Sequence, residues 1–553
     1  MPTVQLSKKA LFSIIGKKVS DGVLKEKISM LGTDLQSVEG DIITVEVFPN
    51  RPDLLTEEGF GIALGAFLGV RPGLQTYRVV RSRKVLRVVK PLKAWPFAVA
   101  AVVKGIRFTD ERLRSIIQSQ EKLCTTLLRG RKKGGIGIYP LEKISFPVTF
   151  TSRPLEDIVF RPLDVQRPMN GKEILSRHPT GRKYGFILEG EERFPVFVDA
   201  EGVVMSMPPI INSEDVGRVS AKTRDVFVEV TGTSLHVLEQ ALNIMCVSLA
   251  EMGGDVHSVT LQYPSRSFCS PDFSPRSIPF RLGNAQKLLG VAFSAKEAKE
   301  ALGKMGLALR GGRVYYPAWR ADILHERDVI DELAIGFGYD RFEEVIPRVA
   351  TIGEESRRER LRSVVRSVLV GLGLVEVKNF NLSSAQTQLV KPGVSLKLVT
   401  LRNALNKEFD VLRAWLLPSL LETLGRNLHH EFPQNLFEVG EVFRRANAGR
   451  GTGASVVEGE RLGGVFCSEK ATYTDARQAV DALARGLGLS FTYAPEKHAA
   501  CIDGRAAKVA CRGRRVGVVG EVRPEVLVAF GLLNPVSWFE LDVEVLAQLV
   551  GLE

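Results

Sequence analysis

Residues 316–339, Tyr-Pro-Ala-Trp-Arg-Ala-Asp-Ile-Leu-His-Glu-Arg-Asp-Val-Ile-Asp-Glu-Leu-Ala-Ile-Gly-Phe-Gly-Tyr, constrain this chain more than any other stretch. Pro317 and the extended run before it break any helix. From Asp328 onward Val329, Ile330, Leu333, Ala334 and Phe337 recur at helical spacing, and Gly336 and Gly338 are expected to stop the helix. Asp328, Asp331 and Glu332 stand at i, i+3 and i+4, so the spacing predicts three carboxylates on one helix face. Asp322, six residues earlier, is close enough to fold back towards them. Like charges at this spacing repel unless something offsets them. A hard, oxygen-seeking cation such as Mg²⁺ does so. Water does so too, because acids near a helix N-terminus suit its dipole and stay solvated. Spacing alone leaves both readings open.

The same stretch resembles the B5 module of the phenylalanyl-tRNA synthetase β-subunit family, whose pattern runs roughly P-x-x-R-x-D-I-x-x-x-x-D-x-x-[DE]-E…G-Y. Pro317, Arg320, Asp322, Ile323, Asp328, Asp331, Glu332, Gly338 and Tyr339 all fall at its offsets. The resemblance implies that Asp322, Asp328, Asp331 and Glu332 are ligands of Mg²⁺.

A chain of 553 residues is long enough for three or four domains, and 44% hydrophobic with 25% charged residues is a globular balance. Lysines and arginines number 75 against 63 acids, a formal charge of +12. That excess fits a polyanionic partner, and it fits solubility alone. Six dispersed cysteines with no CxxC pair signal neither a zinc site nor a disulfide framework, and read as reduced thiols of a cytosolic protein. No signal-peptide pattern and no membrane-length apolar run is present, so a cytoplasmic protein without membrane contact is expected.

In residues 1–85 a strand over 3–6 leads to helices, one from Lys8 and another ending near Leu31. A further strand over 42–48 runs into Pro49-Asn-Arg-Pro-Asp53, where two prolines force a rigid corner. Small and apolar residues then alternate over 59–68, as in a tightly packed helix. The Pro-Asn-Arg-Pro-Asp run resembles the first module of the same β subunit, which implies domain or subunit packing. Residues 78–90 carry six cations and read as a linker or a charge-guarded edge strand.

A second domain is expected over 86–265, with strands at 97–103, 185–188, 194–199 and 225–230 and a long helix over 235–251. Arg129-Gly-Arg-Lys-Lys-Gly-Gly is its most basic run. It lacks the spacing of a nucleotide-binding P-loop, and reads equally as a contact for an RNA end or as a mobile loop. The double proline at 208–209 fixes a turn among Ser206, Asn212 and Ser213. Glu229 and Thr231 project to one side of a strand, where a carboxylate and a hydroxyl can hold a water molecule or simply face solvent. The runs Ser-Met-Pro-Pro-Ile-Ile-Asn-Ser and Val-Thr-Gly-Thr resemble the B3/B4 editing module of the family. Glu229 stands where archaeal and eukaryotic members usually carry Asp. The resemblance implies an editing site formed by Glu229, Thr231 and Ser206.

Residues 266–348 hold the acidic helix, preceded by short helices at 285–289 and 295–305, the second capped by Gly306, and a strand pair. This pattern is winged-helix-like. Over 349–553 the expected elements are a helix at 357–372, strands at 396–401, 436–440, 516–522 and 536–541, and a proline-started helix within 402–421. Their order resembles the antiparallel core of class II aminoacyl-tRNA synthetases. The tail 531–540 lacks the arginine that such a site uses to hold ATP phosphates, so the domain reads as a catalytic fold without a catalytic site.

The expected architecture is therefore α+β and multidomain: a first module (1–85), a B3/B4-type editing domain (86–265), a small winged-helix-like B5 module (266–348) and a degenerate class II synthetase antiparallel-sheet domain (349–553). The resemblance implies an α subunit as partner in an (αβ)₂ heterotetramer, tRNA-Phe as substrate, and hydrolysis of Tyr-tRNA-Phe as this chain's own chemistry. A non-enzymatic RNA-binding scaffold with a decayed site is the competing reading.

Overall fold

The computed structural model describes residues 2–347, 353–445 and 456–552. The chain divides into two compact units, Met1–Ile346 and Pro347–Glu553. Among the described residues no helix is long and apolar enough to cross a membrane.

The first unit opens with a three-stranded antiparallel sheet in which Ile42–Glu46 lies between Thr3–Ser7 and Asp34–Glu39. Ser7 caps helix Lys8–Ile15, and Ser20 caps helix Asp21–Met30. The two-proline corner becomes a short 3₁₀ turn, Pro52–Leu55, ahead of helix Glu57–Phe67. The small residues of that helix are there for close approach. A Cβ on Gly61 would stand 2.7 Å from Ile14, and one on Gly59 would stand 2.0 Å from the Asp53 carbonyl oxygen.

The same unit contains an eleven-stranded sheet. Phe97–Lys104 is buried along nearly its whole length, between Asp255–Gln262 and Val226–Gly232; Gly134–Pro140 then flanks Val226–Gly232. Helix Leu235–Glu251 covers the Phe97–Lys104 and Val226–Gly232 strands. Two expectations change here. Val85–Val88, read as a linker or edge, pairs in parallel with both Val148–Pro154 and Asp255–Gln262 and lies inside the sheet. Its alternation of buried Leu86 and Val88 with exposed Arg87 is the sign that its charges had masked. Residues Gly185–Leu188 form a 3₁₀ turn after helix Pro179–Tyr184, not a strand.

Next come helices Leu282–Leu289 and Ala295–Lys304, the latter with a capping box between Ser294 and Glu297. A three-stranded antiparallel sheet, order Arg276–Pro279, Arg313–Tyr316, Ala308–Arg310, precedes helix Glu326–Phe337. Gly336 does not stop that helix. It lies inside it, where a Cβ would meet the Ala301 carbonyl oxygen at 2.1 Å, so it permits the close packing of the two helices. Gly338, at φ +105°, makes the stop.

The second unit is a seven-stranded sheet, antiparallel except where Val375–Glu376 joins Gln434–Arg445 in parallel. Helices Arg357–Gly371, Tyr473–Gly486 and Val543–Leu549 build one hydrophobic core, with Leu361, Val480 and Leu546 fully buried. Helices Leu417–Arg426 and Pro524–Ala529 contribute to a second core around Trp415 and Trp538. The helix expected within 402–421 begins only at Leu417, with Pro418 in its first turn, and runs on to Arg426, and the strand at 396–401 shrinks to Val399–Thr400.

Candidate functional site

Strand Val226–Gly232 carries Glu229 and Thr231 two residues apart, on one face, as period-two geometry requires. Their cross-strand partners are Ala100 and Gly137 for Glu229, and Ala98 and Gly135 for Thr231. Small neighbours leave room where a larger side chain would fill the face. A Cβ on Gly137 would stand 2.3 Å from Glu229 Oε1 and 2.6 Å from the Tyr139 hydroxyl. Gly134 and Gly135 at the end of the basic run, and Gly137 after them, thus belong to the strand Gly134–Pro140, and the bareness of Gly137 makes space for the carboxylate.

The Tyr139 hydroxyl donates towards Glu229 Oε1 and Asn212 Oδ1, each at 3.2 Å. One phenolic proton serves one acceptor at a time. Asn212 sits opposite Ser206 across a strand pair, and Ser206 lies beside the same tyrosine hydroxyl without completing a hydrogen bond. Ser206, Glu229 and Thr231 are 1%, 3% and 0% exposed, and Ser206 Oγ, Glu229 Oε2 and Thr231 Oγ1 have no partner. Unpaired polar atoms at such burial are costly; others occur elsewhere among the described residues, Glu58 Oε2 and Asn243 Oδ1 among them, but here Glu229 and Thr231 share one strand face and Ser206 lies beside the tyrosine hydroxyl that bonds Glu229. Burial pushes Glu229 up to about 8, against the weaker opposing pull of Tyr139, so its carboxyl is mostly neutral at pH 7. The outward-facing alternative, in which these residues meet solvent, does not describe this burial.

The basic run itself is partly occupied. Arg131 donates to the carbonyls of Pro209 (2.9 Å) and Ile210 (3.1 Å) and lies over the Tyr184 ring, so it pins the double-proline turn. Arg129 and Lys132 remain exposed. Sequence reasoning placed Asn212 at the double-proline turn but missed Tyr139 as its partner, because one tyrosine after a glycine run carries no signal of its partner across the sheet.

The four acids proposed as metal ligands are placed differently. Arg320 forms a two-pronged pair with Asp322 (2.8 and 2.6 Å) and reaches Glu332 at 2.8 Å. Arg51, from the two-proline corner, pairs with Asp53 (2.9 and 2.8 Å) and stands 4.0 Å from Glu332. All five side chains are buried. Although burial opposes it, Arg320 holds Asp322 below the usual carboxylate range, while burial pushes Glu332 up. Asp328 Oδ2 instead accepts from the Leu324 and His325 backbone amides at 2.8 and 2.7 Å, and Asp331 accepts from the Tyr339 hydroxyl at 3.0 Å. Structure therefore brings Asp322 and Glu332 together through an arginine, and turns Asp328 and Asp331 to other partners. Two guanidinium groups already offset the buried carboxylates, and among the described residues no three acidic, histidine or cysteine side chains gather as a ligand set. The arrangement does not fit Mg²⁺. Asp328→Ala is accordingly expected to remove the N3 half of the capping box that His325 begins, at about 1 kcal/mol, and to leave Mg²⁺ affinity unchanged. Urea unfolding with a parallel Mg²⁺ titration checks both; weaker Mg²⁺ binding by the variant would return Asp328 to a ligand role.

In the second unit Arg413 is fully buried, bound to Glu438 Oε1 at 2.7 Å and to the Glu441 carbonyl at 2.8 Å. It is a core group, and strand Val536–Asp542 carries no arginine.

Residues 342–543 match the family model described as the phenylalanyl tRNA synthetase beta chain CLM domain, and residues 278–339 match the tRNA synthetase B5 domain. A phenylalanine–tRNA ligase beta subunit from Archaeoglobus fulgidus is 39% identical, covering 98% of this chain and 98% of its own length. The corresponding subunit from Methanothrix thermoacetophila is 37% identical over 98% of this chain and all of its own. A crystallised N-terminal fragment of the phenylalanyl-tRNA synthetase beta subunit from Pyrococcus horikoshii superposes with a TM-score of 0.58 at 35% identity, covering 61% of this chain and 99% of the fragment.

Proposed function

The chain belongs to the phenylalanine–tRNA ligase β-subunit family, and from that premise we propose that it works with an α subunit, in an (αβ)₂ heterotetramer, to charge tRNA-Phe with phenylalanine at the expense of ATP. Its own chemistry is the hydrolysis of mischarged Tyr-tRNA-Phe. The observation that carries the second statement is the set of three unpartnered, buried polar atoms on Ser206, Glu229 and Thr231.

An ester of tyrosine brings one polar group that phenylalanine lacks. The neutral Glu229 carboxyl can pair with that phenolic hydroxyl through its free oxygen. A phenylalanyl ester would leave the buried carboxyl unpaired, at about 1–3 kcal/mol. The hydroxyls of Thr231 and Ser206 are free to orient a water molecule against the ester carbonyl. Attack forms the new acyl C–O bond, the bond to the terminal ribose oxygen breaks, and that oxygen takes the proton the water gives up. The products are tyrosine and uncharged tRNA. Since Arg131 holds the Pro208–Pro209 turn through its carbonyls, it positions the wall that faces Gly135 (3.4 Å from a Cβ there to Pro209).

In the assembled enzyme Glu229→Ala is expected to slow hydrolysis of Tyr-tRNA-Phe about a hundredfold while phenylalanine charging stays intact. Deacylation of purified Tyr-tRNA-Phe measures it. Equal rates in variant and parent would remove Glu229 from the site, and no hydrolysis by the parent would favour the scaffold reading.

ATP-dependent ligation brings Mg²⁺ with the nucleotide phosphates; Asp322, Asp328, Asp331 and Glu332 are not assigned to that ion here. We place the activating chemistry in the α subunit because the tail 531–540, with strand Val536–Asp542, carries no arginine to hold ATP phosphates, and the buried Arg413 is bound to Glu438. Purified alone, this chain is expected to form no phenylalanyl-adenylate above background. Pyrophosphate exchange dependent on phenylalanine, in the absence of any partner chain, would contradict this.

A further inference from the structure

The second unit contains a cavity of about 550 Å³ over the face of its sheet that holds the Trp415–Trp538 core. That volume lies in the range of small-molecule sites. Its floor is apolar and aromatic, the rings set edge to face: His498 packs against both Trp415 (centroids 5.6 Å apart) and Trp538 (5.3 Å, planes 62° apart), beside Val516 and Val518. Burial lowers the proton affinity of His498, so the imidazole adds no cation there at neutral pH.

The walls are strongly basic. Lys397, Arg444, Arg445, Arg461 and Arg515 all open on this one cavity. Arg515 is held by Glu496 at 2.6 and 3.0 Å, and Arg461 shares Asp542 at 2.7 Å. The Arg461 Nε–H is buried and has no partner. No hydrogen bond or ion pair of the Lys397, Arg444 or Arg445 side chains is present among the described residues, and Arg444 acts on the buried Glu540 carboxyl only at longer range. The acids at the wall do not balance the cations. Glu540 is pushed towards its neutral form by burial and is tied to the Leu416 amide at 2.8 Å, which leaves Asp542, already shared with Arg461. Cations left this close without counter-charge repel one another, and an anion entering the cavity relieves that repulsion.

We propose that this cavity binds a phosphate-bearing small molecule of nucleotide size, its apolar part against the half-buried His498 side of the floor and its phosphates among Lys397, Arg444, Arg445 and Arg461. A compact ligand suits the site better than an RNA backbone, because the cations line one half-open cavity with an aromatic base. Binding here is separate from ligation: residues 531–540 supply no arginine to hold a reacting phosphate.

Equilibrium dialysis of the purified full chain against ATP, AMP and inorganic pyrophosphate tests the proposal, with Arg444→Glu/Arg445→Glu as the disrupting variant. Both arginines are exposed, so circular dichroism and the thermal midpoint should match the parent. Lys17→Glu/Lys18→Glu, which makes the same charge change at exposed positions of the first unit, is the control. The expected result is saturable ATP binding at about one site per chain, competed by pyrophosphate, at least about tenfold weaker in the Arg444/Arg445 variant and unchanged in the control. No saturable binding of any of the three probes by the parent would overturn the proposal, as would equal binding by the Arg444/Arg445 variant. Pyrophosphate binding as tightly as ATP would overturn the aromatic half of it. A short RNA bound in place of all three small probes would make the surface an RNA contact and overturn the whole.

Discussion

Arg320→Ala is expected to destabilise the first unit by about 3–5 kcal/mol. The guanidinium is 3% exposed as a side chain, holds both oxygens of Asp322, reaches Glu332, and donates to the Met305 carbonyl at 3.4 Å. Its removal leaves Asp322 and Glu332 buried with only Arg51 to answer them, and Arg51 is already engaged by Asp53. Uncompensated buried charge is the costly outcome, far more so than loss of a solvent-exposed pair. Arg320→Lys keeps the charge but not the planar fork, so it should recover only part of the loss. Urea unfolding of the three proteins, with and without millimolar Mg²⁺, measures this. The parent should be indifferent to Mg²⁺ and to its chelation. A parent whose urea midpoint rises on adding Mg²⁺ would give the acids back their ligand role.

The charge cluster also shows what a sequence can and cannot convey. The helix after Asp328 was legible because Val329, Ile330 and Leu333 repeat at its period, and all three are buried. The same spacing argument placed Asp328, Asp331 and Glu332 on one face. That face divides: Glu332 turns inward to Arg320, Asp331 outward to Tyr339, and Asp328 back onto its own cap. The second cation of the cluster, Arg51, comes from 281 positions earlier than Glu332, and no local pattern announces it. Glu229 and Thr231 were legible as a pair for the opposite reason, since period two in a strand is enforced by the backbone itself. Their burial was not, because it depends on the strands on either side and on the glycines opposite. Val85–Val88 was misread because its surrounding cations suggested an edge, while its pairing partners lie 60 and 170 residues or so further along the chain. Across the second unit the strands Val456–Cys467 and Cys501–Cys511 escaped notice, as glycines and charges interrupt their alternation.

Glu229→Gln should separate the carboxyl's titration from its packing, and the sign of the effect follows from linkage. Glu229 is raised from an ordinary 4.5 to about 8, chiefly by burial. Below pH 4.5 the folded and unfolded chains both hold its proton. Between 4.5 and 8 the unfolded chain releases it and the folded chain keeps it, so stability falls as pH rises through that window. Above about 8 both have lost it and the decline ends. The full span corresponds to at most about 5 kcal/mol. Glutamine has nearly the same shape and no such proton, so the variant should gain on the parent steadily from pH 5 to pH 8 and no further beyond. Glu58, buried and likewise raised to about 8, contributes a similar slope to both proteins and cancels in the difference. Urea midpoints at four or five pH values supply the comparison. Parallel curves for variant and parent would mean that Glu229 is already ionised in the folded chain, and the neutral carboxyl that reads the phenolic hydroxyl would have to be given up.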